Sequence, residues 1–276
     1  MPPAALQDLT VAVLASGSNG NCTWIGAGGR GILVDAGISA RQVQLRLDAV
    51  GLPAAPIDAV FVTHEHRDHV QGARVLSSRL GSHRGRTVPF YMTAGTARHL
   101  PPGMAPDAVE EVGIEDILRV GPFEVRPVSI PHDTADPVAW RVACDGVSVG
   151  VVTDLGRATP PVVDLLRGLD LAVLEFNHDL EMLLEGPYPW HLKQRIRGNQ
   201  GHLSNEQAAD LLYSSLGPRL KQVVLAHLSE ENNRPSRALA AARNALVRAG
   251  AEDRVQVRAG SRYEPTPPIR LPLREG

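Results

Sequence analysis

Apolar and polar positions alternate in short blocks along the chain, and several blocks have the period of β-strands. Residues 10–15 (T-V-A-V-L-A) and 31–35 (G-I-L-V-D) predict two early strands. The run at 58–62 (D-A-V-F-V) is almost wholly apolar, which is typical of a strand covered on both faces. An Asp145-Gly146 pair between two apolar segments predicts a hairpin. Further strands are predicted over 123–130, 138–144, 147–152, 171–174 and 222–226.

Helices are predicted where a polar cap precedes an amphipathic segment. Ser39 with Gln42, and Ser204 with Gln207, have the spacing of a capping box, which begins a helix by satisfying its first backbone N–H groups. Pro235 suits the first turn of a last helix, because a proline there sacrifices no helical hydrogen bond.

The predicted domain organisation is simple. Buried strands and helices are interspersed, and no linker separates one block from another. This pattern predicts one α/β domain over residues 1–263. Residues 264–276 are rich in proline, and we expect them to form a loose tail.

Composition limits the classes of function. The 276 residues carry a net charge of −2, so any affinity for nucleic acid must come from local patches. Two cysteines, far apart and in no metal-binding spacing, are typical of a reducing compartment. Residues 1–9 lack the features of a signal peptide, and no apolar run approaches the roughly 18–20 residues of a membrane span. We therefore expect a cytoplasmic protein without membrane contact.

The segment T-H-E-H-R-D-H at 63–69 is the sharpest chemical feature of the chain. It places His64, His66, Asp68 and His69 directly after the predicted buried strand. Imidazole and carboxylate are ligands for zinc, iron or manganese, and a strand end fixes where the loop begins. A solvated charged loop is the alternative, since such residues are often simply exposed. The spacing H-x-H-x-D-H at a strand end favours a metal site.

Three more residues of ligand type follow predicted strands. They are His132, Asp154 and His227, and each comes directly after an apolar strand-like segment. Taken alone, each is more often a structural polar residue. Ligands at the carboxyl ends of neighbouring strands converge on one edge of a sheet, so the set together with the loop predicts one shared site.

At these motifs the chain resembles the metallo-β-lactamase superfamily, from Asp35 to His227. The resemblance implies an α/β fold, the αββα sandwich, with two mixed β-sheets packed face to face, helices outside and metals at one edge. It implies two divalent metal ions with these ligands: His64, His66 and His132 on the first, Asp68, His69 and His227 on the second, and Asp154 between them. Asp35, in L-V-D-A-G, would support the ligand loop without binding metal.

The same resemblance implies a hydrolytic mechanism. Two metal ions about 3.5–4 Å apart can share a water, lower its pKa towards ~7 and turn it into an attacking hydroxide. Asp68 is then needed for catalysis as well as for metal binding. The sequence offers no convincing Ser-His-Asp or Cys-His arrangement as a rival nucleophile. Zinc and manganese both suit the ligand set.

A second block narrows the resemblance. Residues 174–205, L-A-S-G-S-N-G-N-C near the start and L-A-H-L-S-E-E-N-N around His227 are similar to the WalJ/YycJ-type exonucleases. These bacterial enzymes of the same fold degrade DNA from a 5′ end, so the resemblance implies a 5′-to-3′ exonuclease with a DNA substrate. It spans residues 11–235. Phe176 departs from it, because a small residue is expected there. The long inserted cap domain of the β-CASP nucleases is absent from the sequence.

Several residues of this block are candidates for substrate contact. They are Asn177, the basic Lys193, Arg195 and Arg197, and Ser204 and Asn205 at a predicted helix N-terminus, where backbone N–H groups favour anions. A second basic stretch, Arg74, Arg79, Arg84 and Arg86, is equally compatible with an ordinary solvated face. We expect either His178 or His202 to contact the scissile phosphate or to protonate the leaving oxygen. His83, His99 and His191 are interpreted as structural or surface residues.

Two other functions compete with the nuclease. A small-molecule hydrolase, such as a glyoxalase-type thioesterase or a lactamase, would need a tight apolar pocket and would leave the basic residues at 193–197 without a role. A non-catalytic metal-binding or regulatory protein is the second alternative. The complete set of ligand-type residues argues against it.

Overall fold

The computed structural model describes residues 8–52, 56–84 and 87–274, and in 81–84 the backbone alone. Within these ranges the strands form two seven-stranded sheets. The first sheet has the order β14-β1-β2-β3-β4-β5-β6, built from β1 (Asp8–Ala15), β2 (Cys22–Ala27), β3 (Arg30–Val34), β4 (Ile57–Phe61), β5 (Phe90–Thr93), β6 (Val109–Val112) and β14 (Ile269–Pro272).

The second sheet has the order β13-β12-β11-β10-β9-β8-β7. Its strands are β7 (Leu118–Val120), β8 (Phe123–Ser129), β9 (Val138–Cys144), β10 (Val147–Val152), β11 (Leu171–Glu175), β12 (Gln222–Ala226) and β13 (Gln256–Ala259). Both sheets are mixed. In the second, β7 to β10 pair antiparallel and β10 to β13 pair parallel, so the carboxyl ends of β10, β11, β12 and β13 lie at the same edge.

The helices of the described residues are α1 (Ala40–Ala49), α2 (Arg67–Val70), α3 (Ala73–Arg84), α4 (Ala94–Arg98), α5 (Pro160–Arg167), α6 (Leu180–Glu185), α7 (Trp190–Ile196), α8 (Asn205–Ser215) and α9 (Pro235–Arg248). Several of them cover the outer faces of the two sheets. One apolar cluster packs residues of α1 and α3 on the first sheet, and another packs residues of α5, α8 and α9 on the second. A third joins the two sheets face to face. The predicted αββα sandwich is confirmed.

Two side chains illustrate how the sheets are joined. Phe61 of the first sheet meets Trp140 of the second edge-to-face, with ring centroids 5.1 Å apart. Both rings are fully buried. The indole Nε1 of Trp140 donates a hydrogen bond of 3.1 Å to the carbonyl of Val62. Because Val62 directly precedes the 63–69 segment, this contact ties that segment to the second sheet.

Of the predicted local signals, the hairpin and the capping box at Ser204 are complete, whereas Ser39 is an N-cap without a returning bond from the Gln42 side chain, which accepts from Arg46. Asp145 and Gly146 join β9 to β10 with positive φ angles of 39° and 76°, as a two-residue hairpin of type I′ requires. The Ser39 side chain accepts from Gln42 N at the start of α1. Ser204 and Gln207 form the complete capping box of α8.

The expectation of a loose C-terminal tail is wrong for residues 266–272. Thr266 exchanges two hydrogen bonds with Val13, and the strand Ile269–Pro272 pairs antiparallel with β1. Ile269 and Leu271 are buried in the core between the sheets, while Arg270 is exposed. This alternation of buried and exposed residues is a strand pattern. The prolines obscured it because they suggested a loose tail, although an edge strand tolerates proline.

In the part of the chain that the structure describes, none of the helices combines the length and the apolar character that crossing a bilayer demands.

Candidate metal centre

Three candidate residues directly follow strands in a strained backbone conformation. Asp35 after β3, Asp154 just beyond β10 and His227 after β12 have φ angles of 64°, 60° and 55°. Non-glycine residues rarely adopt this left-handed region, and such strain is concentrated at functional sites. Among the described residues, Asp145 in the hairpin is the one other non-glycine example. This left-handed conformation turns the backbone sharply where each of the three strands ends.

The 63–69 segment is held against the loop that follows β3. Backbone hydrogen bonds of 2.8 Å join Asn21 N to Asp68 O and Ala36 N to His69 O. Gly37 lies so close that a Cβ on it would stand 1.7 Å from Asp68 O. Only glycine fits this approach, so the loop after β3 acts as a template for the position of Asp68 and His69.

The structure brings all seven predicted ligands to one place. In each of the following groups the potential ligand atoms lie within 4.8 Å of one another. The groups are His64 with His66 and His132, Asp68 with His69 and His227, and His64 with His69 and Asp154. The first two groups are the sets implied by the family resemblance, and the third places Asp154 between them.

Asp35 orients His69, as predicted, from outside the ligand cluster. His69 donates from Nδ1 to Asp35 Oδ2 at 2.7 Å, and its Nε2 faces Asp68 and Asp154 at 3.4 and 3.2 Å. Thr63 donates to the same carboxylate from its backbone N at 2.9 Å and from its hydroxyl. Because a carboxylate can only accept, it fixes which nitrogen of His69 keeps the proton.

The other imidazoles are oriented in the same way. His64 Nδ1 lies 3.0 Å from Thr63 Oγ1, and His132 Nδ1 donates to the carbonyl of Gly201 at 3.1 Å. These contacts leave Nε2 of both rings free for the cluster, where His132 Nε2 is 3.3 Å from His66 Nδ1. Each of these rings is therefore anchored through one nitrogen and offers the other as a ligand.

Glu175 is the functional residue that the sequence reasoning missed. Its carboxylate ends β11 and is fully buried. It accepts from His202 Nδ1 at 2.9 Å, from His227 Nδ1 at 3.0 Å, and from the backbone N of Asp154, Leu155 and Leu203. The available signal was a residue of ligand type at the end of an apolar strand, which is the pattern that singled out Asp154 and His227.

The electrostatics of the cluster stabilise positive charge. Burial alone would lower the pKa of His227, but the charge of Asp154 and the hydrogen bonds to Asp68 and Glu175 raise it to about 10. Burial would raise the pKa of Glu175, yet the charge of His202 and its hydrogen bonds with the two histidines lower it to about 2. Carboxylates thus remain ionised here and attract a cation.

Two buried polar atoms in the cluster have no hydrogen-bond partner among the described residues. His64 Nε2 and Asp154 Oδ2 make no hydrogen bond within the described part of the chain. Burial lowers the pKa of His64 well below its ordinary value, so its ring is neutral and Nε2 carries a lone pair. A buried imidazole nitrogen and a buried carboxylate oxygen that faces His69 Nε2 at 3.2 Å, both without a hydrogen bond, fit the donor set of a divalent metal ion.

A cavity of about 220 Å³ opens onto the cluster. One part of its lining consists of residues of ligand type: His66, Asp68, Asp154, His202 and His227. His202 thus lines the cavity while its Nδ1 is held by Glu175. His178 does not belong to this lining and is 1% exposed, with both ring nitrogens unpaired within the described residues. Its burial lowers its pKa to about 4. Of the two histidines expected as alternatives for a phosphate contact, this placement favours His202 over His178.

The three basic candidates for substrate contact do not form one surface. Lys193 is buried, and its Nζ donates at 2.6 Å to the carbonyl of Leu184, so it joins α7 to α6 and does not face solvent. Arg195 lines the cavity and pairs with Asp133. Arg197 is exposed beyond the end of α7. Lys193 and Arg195 lie on α7, and a spacing of two residues on a helix turns side chains to opposite sides.

The remaining substrate candidates are used inside the protein. Ser204 caps α8, and Asn205 exchanges two side-chain hydrogen bonds of 3.0 Å with Asn233. Asn177 is buried and donates to the carbonyl of His227 at 2.9 Å, which supports the strained turn there. None of the three lines the cavity, so their positions favour structural roles for these side chains.

Other sequence candidates lie outside the site. Arg74 and Arg79 are exposed on α3 and do not line the cavity, which favours the solvated-face interpretation. The side chain of Arg84 and the whole of Arg86 lie outside the described residues, as does the side chain of His83. Phe176, where a small residue was expected, is fully buried in the core between the second sheet and its helices.

Comparison with known proteins agrees with this geometry. Residues 30–228 match the family model of the beta-lactamase superfamily domain. The chain is 32% identical over 223 residues to exodeoxyribonuclease WalJ of Streptococcus pneumoniae, covering 80% of this chain and 82% of that protein. It is 33% identical over 228 residues to exodeoxyribonuclease YycJ of Bacillus anthracis, covering 82% and 84%.

A solved structure shares the fold. The metallo-beta-lactamase fold protein YhfI of Bacillus subtilis superposes with a TM-score of 0.68 at 17% identity, covering 94% of this chain and 99% of that chain. The protein belongs to the metallo-β-lactamase superfamily and is a hydrolase of that fold. Within the superfamily, the resemblance to the WalJ/YycJ exodeoxyribonucleases is confirmed.

Proposed function

We propose that the protein is a phosphodiesterase that uses two divalent metal ions, zinc or manganese, to degrade DNA from the 5′ end towards the 3′ end. One observation carries the proposal: seven side chains of ligand type, four from the 63–69 segment and three from distant positions, come together at one edge of the sandwich. They form overlapping groups in which the potential ligand atoms lie within 4.8 Å of one another. The names of the relatives that share about a third of its residues indicate DNA as the substrate.

The residues divide naturally between two ions. His64, His66 and His132 would hold the first, Asp68, His69 and His227 would hold the second, and Asp154 lies where it can contact both. Metal ions bound there would supply an activated water and neutralise the charge that develops on the phosphodiester. Asp68 would serve the reaction as a ligand.

The chain's own side chains prepare this centre. Asp35 and Glu175 accept from the Nδ1–H groups of His69 and His227, and so direct both Nε2 atoms to the site. His202, held by Glu175 through its Nδ1, offers Nε2 to the cavity, where it would donate a proton to the leaving oxygen. Proton delivery of this kind typically contributes about 10²–10⁴-fold to a rate.

The small-molecule alternative has less support from the cavity. A pocket for a lactam or thioester would be mainly apolar, whereas most residues that line this cavity of about 220 Å³ are histidines, carboxylates and other polar residues, including the cation Arg195. A second cavity of about 550 Å³ shares Asp133, Arg195 and Gly201 with it and adds Arg157, Asn199 and Gln200. This polar extension suits a nucleic acid strand that continues beyond the reacting phosphate.

The test is hydrolysis by the purified chain with added zinc or manganese. DNA labelled at the 5′ or the 3′ end, single-stranded and duplex, is compared with RNA, a thioester and a β-lactam. We expect stepwise release from the 5′ end of DNA, abolished in Asp68→Ala and retained in Asp253→Ala, whose exposed carboxylate precedes β13. Turnover of the thioester or the lactam without DNA cleavage would overturn the proposal.

A further inference from the structure

The lining of the metal-site cavity has a second, apolar part. It is formed by Tyr188, Leu192 and Ile196, which come from α7 and the segment before it. Leu192 and Ile196 are four residues apart, so they share one face of the helix. The chain has four tyrosines in 276 residues, and one of them lines this cavity. An aromatic ring beside a cluster of histidines and carboxylates is not required for metal binding.

The segment that carries Tyr188 is rigid. Prolines at 187 and 189 flank the ring residue, which restricts its backbone to extended conformations. Pro189 is the N-cap of α7, with φ −64° and ψ 151°. At the other end Gly186 N donates to Met182 O at 2.8 Å, and a Cβ on Gly186 would stand 2.6 Å from that carbonyl. The ring is therefore presented by a turn with little freedom.

Two charged residues fix α7 itself. Lys193 joins it to α6 through the carbonyl of Leu184, at 2.6 Å. Arg195 joins it to Asp133, which follows the predicted ligand His132. These contacts hold α7, and with it the apolar part of the lining, at a set distance from the cluster of predicted metal ligands. Preorganisation of this kind favours binding, because little side-chain freedom is lost when a ligand arrives.

The size of the cavity restricts what can lie on this wall. Its volume of about 220 Å³ is below the roughly 300–1,000 Å³ of typical ligand pockets, so it suits a single nucleotide unit and not a double helix. A phosphate gains little from an aromatic ring, and a sugar has no flat π face to stack on it. The flat face of a nucleobase does, and proteins that bind single strands combine such stacking with a nearby cation, here Arg195.

Resting on the proposed function, we propose that Tyr188 is the stacking platform for the base of the terminal nucleotide. The base lies on the Tyr188 ring, beside Leu192 and Ile196, while the phosphate of the same nucleotide reaches the cluster of predicted metal ligands. The enzyme then acts on an unpaired DNA end, and because every base has an aromatic face, it does so without strong base preference.

The experiment compares two single-stranded oligonucleotides that differ at the 5′-terminal position. One carries thymine there, and the other carries an abasic tetrahydrofuran unit. For the native protein we expect kcat/KM to be about ten-fold higher on the thymine end, as is typical of one base–aromatic stack. Tyr188→Ala should bring this ratio close to one by slowing cleavage of the thymine end, whereas Tyr188→Phe should keep it.

The ratio within one variant is independent of the amount of folded protein. Tyr213→Ala is the matched control, since this tyrosine is 44% exposed on α8 and absent from the cavity lining. A second readout is the fluorescence anisotropy of the same oligonucleotides with metal chelated, where Tyr188→Ala should lose the native preference for thymine.

The outcomes separate the two proposals. A native protein that cleaves neither oligonucleotide with zinc or manganese refutes the nuclease function and this inference with it. Cleavage with a native ratio of one, or with the same ratio in Tyr188→Ala as in the native protein, refutes the stacking platform alone.

Discussion

His227 Nδ1 donates to Glu175 Oε1 across 3.0 Å, and the same carboxylate oxygen accepts from His202 at 2.9 Å. Glu175 thus joins a predicted metal ligand to the predicted proton donor. Its second oxygen accepts from the backbone of Leu155 and Leu203, which ties the strand end beyond β10 to the start of α8. One fully buried carboxylate positions both parts of the centre.

Replacing Glu175 by Gln should weaken metal binding. The amide replaces one of the two acceptor oxygens by a donor where five donors converge, so some of these hydrogen bonds are lost and the support of His227 is weakened. Loss of such an outer partner typically lowers metal affinity by about 10–100-fold. Competition with a chelator measures the affinity, and Glu185→Gln, at an exposed position in α6, is the control. Native metal affinity in Glu175→Gln would contradict this role.

His202 and His178 should differ in their effect on turnover. His202→Ala removes an imidazole that lines the cavity, and we expect turnover to fall by about 10²-fold or more with metal content unchanged. His178→Ala should leave turnover per metal-loaded chain close to the native value, because its ring does not reach the cavity. Metal analysis beside DNA hydrolysis distinguishes them. Equal losses in the two variants would argue against the placement of His202 as the proton donor.

Lys193 and Arg195 should contribute to different properties. Arg195 lines the cavity, so Arg195→Ala should reduce the slope of log affinity for single-stranded DNA against log salt by about 0.7, the value for one phosphate contact. Lys193→Met should leave the slope unchanged and lower the melting temperature, because it removes the bond to Leu184 O. Binding titrations at several salt concentrations and thermal melts measure the two effects. A lower slope in Lys193→Met would contradict the buried position of this residue.

Gly37→Ala should disturb the metal centre from outside it. The added Cβ would stand 1.7 Å from Asp68 O and 2.5 Å from Asn21 N, so the loop that carries Asp68 must move. We expect at least about ten-fold weaker metal binding, as for loss of a supporting contact. Gly113→Ala is the control, since its Cβ would have only an ordinary contact of 3.5 Å with Asp116. Native-like metal content and turnover in Gly37→Ala would show that the loop tolerates the shift.

The C-terminal strand should be part of the cooperative fold. Leu271 packs between the sheets with 6% exposure, so Leu271→Ala should lower the free energy of unfolding by about 2–3 kcal/mol, near the lower end for buried leucines because an edge strand can relax. Arg270→Ala, on the exposed side of the same strand, should change it by less than about 0.5 kcal/mol. Denaturant titration measures both. Equal stability of the two variants would support the original expectation of a loose tail.

Features with a local cause were predictable from sequence. The N-cap at Ser39, the capping box at Ser204 and the Asp145-Gly146 hairpin depend on neighbours within a few residues. Metal-ligand candidates could also be found, because each follows an apolar run and strand ends share an edge. The C-terminal strand was missed because its prolines suggested a tail, although its edge position tolerates them.

What the sequence by itself determined is the chemistry available: the types of the ligand side chains and their positions at strand ends. Only the tertiary structure decided what each polar side chain does. Glu175 meets His227 because β11 and β12 pair in parallel register, 52 residues apart in the chain. Lys193 turns inward because α6 packs beside α7. Hydrophobic periodicity is a local property of the chain, whereas a hydrogen-bond partner depends on which distant segments are brought into contact.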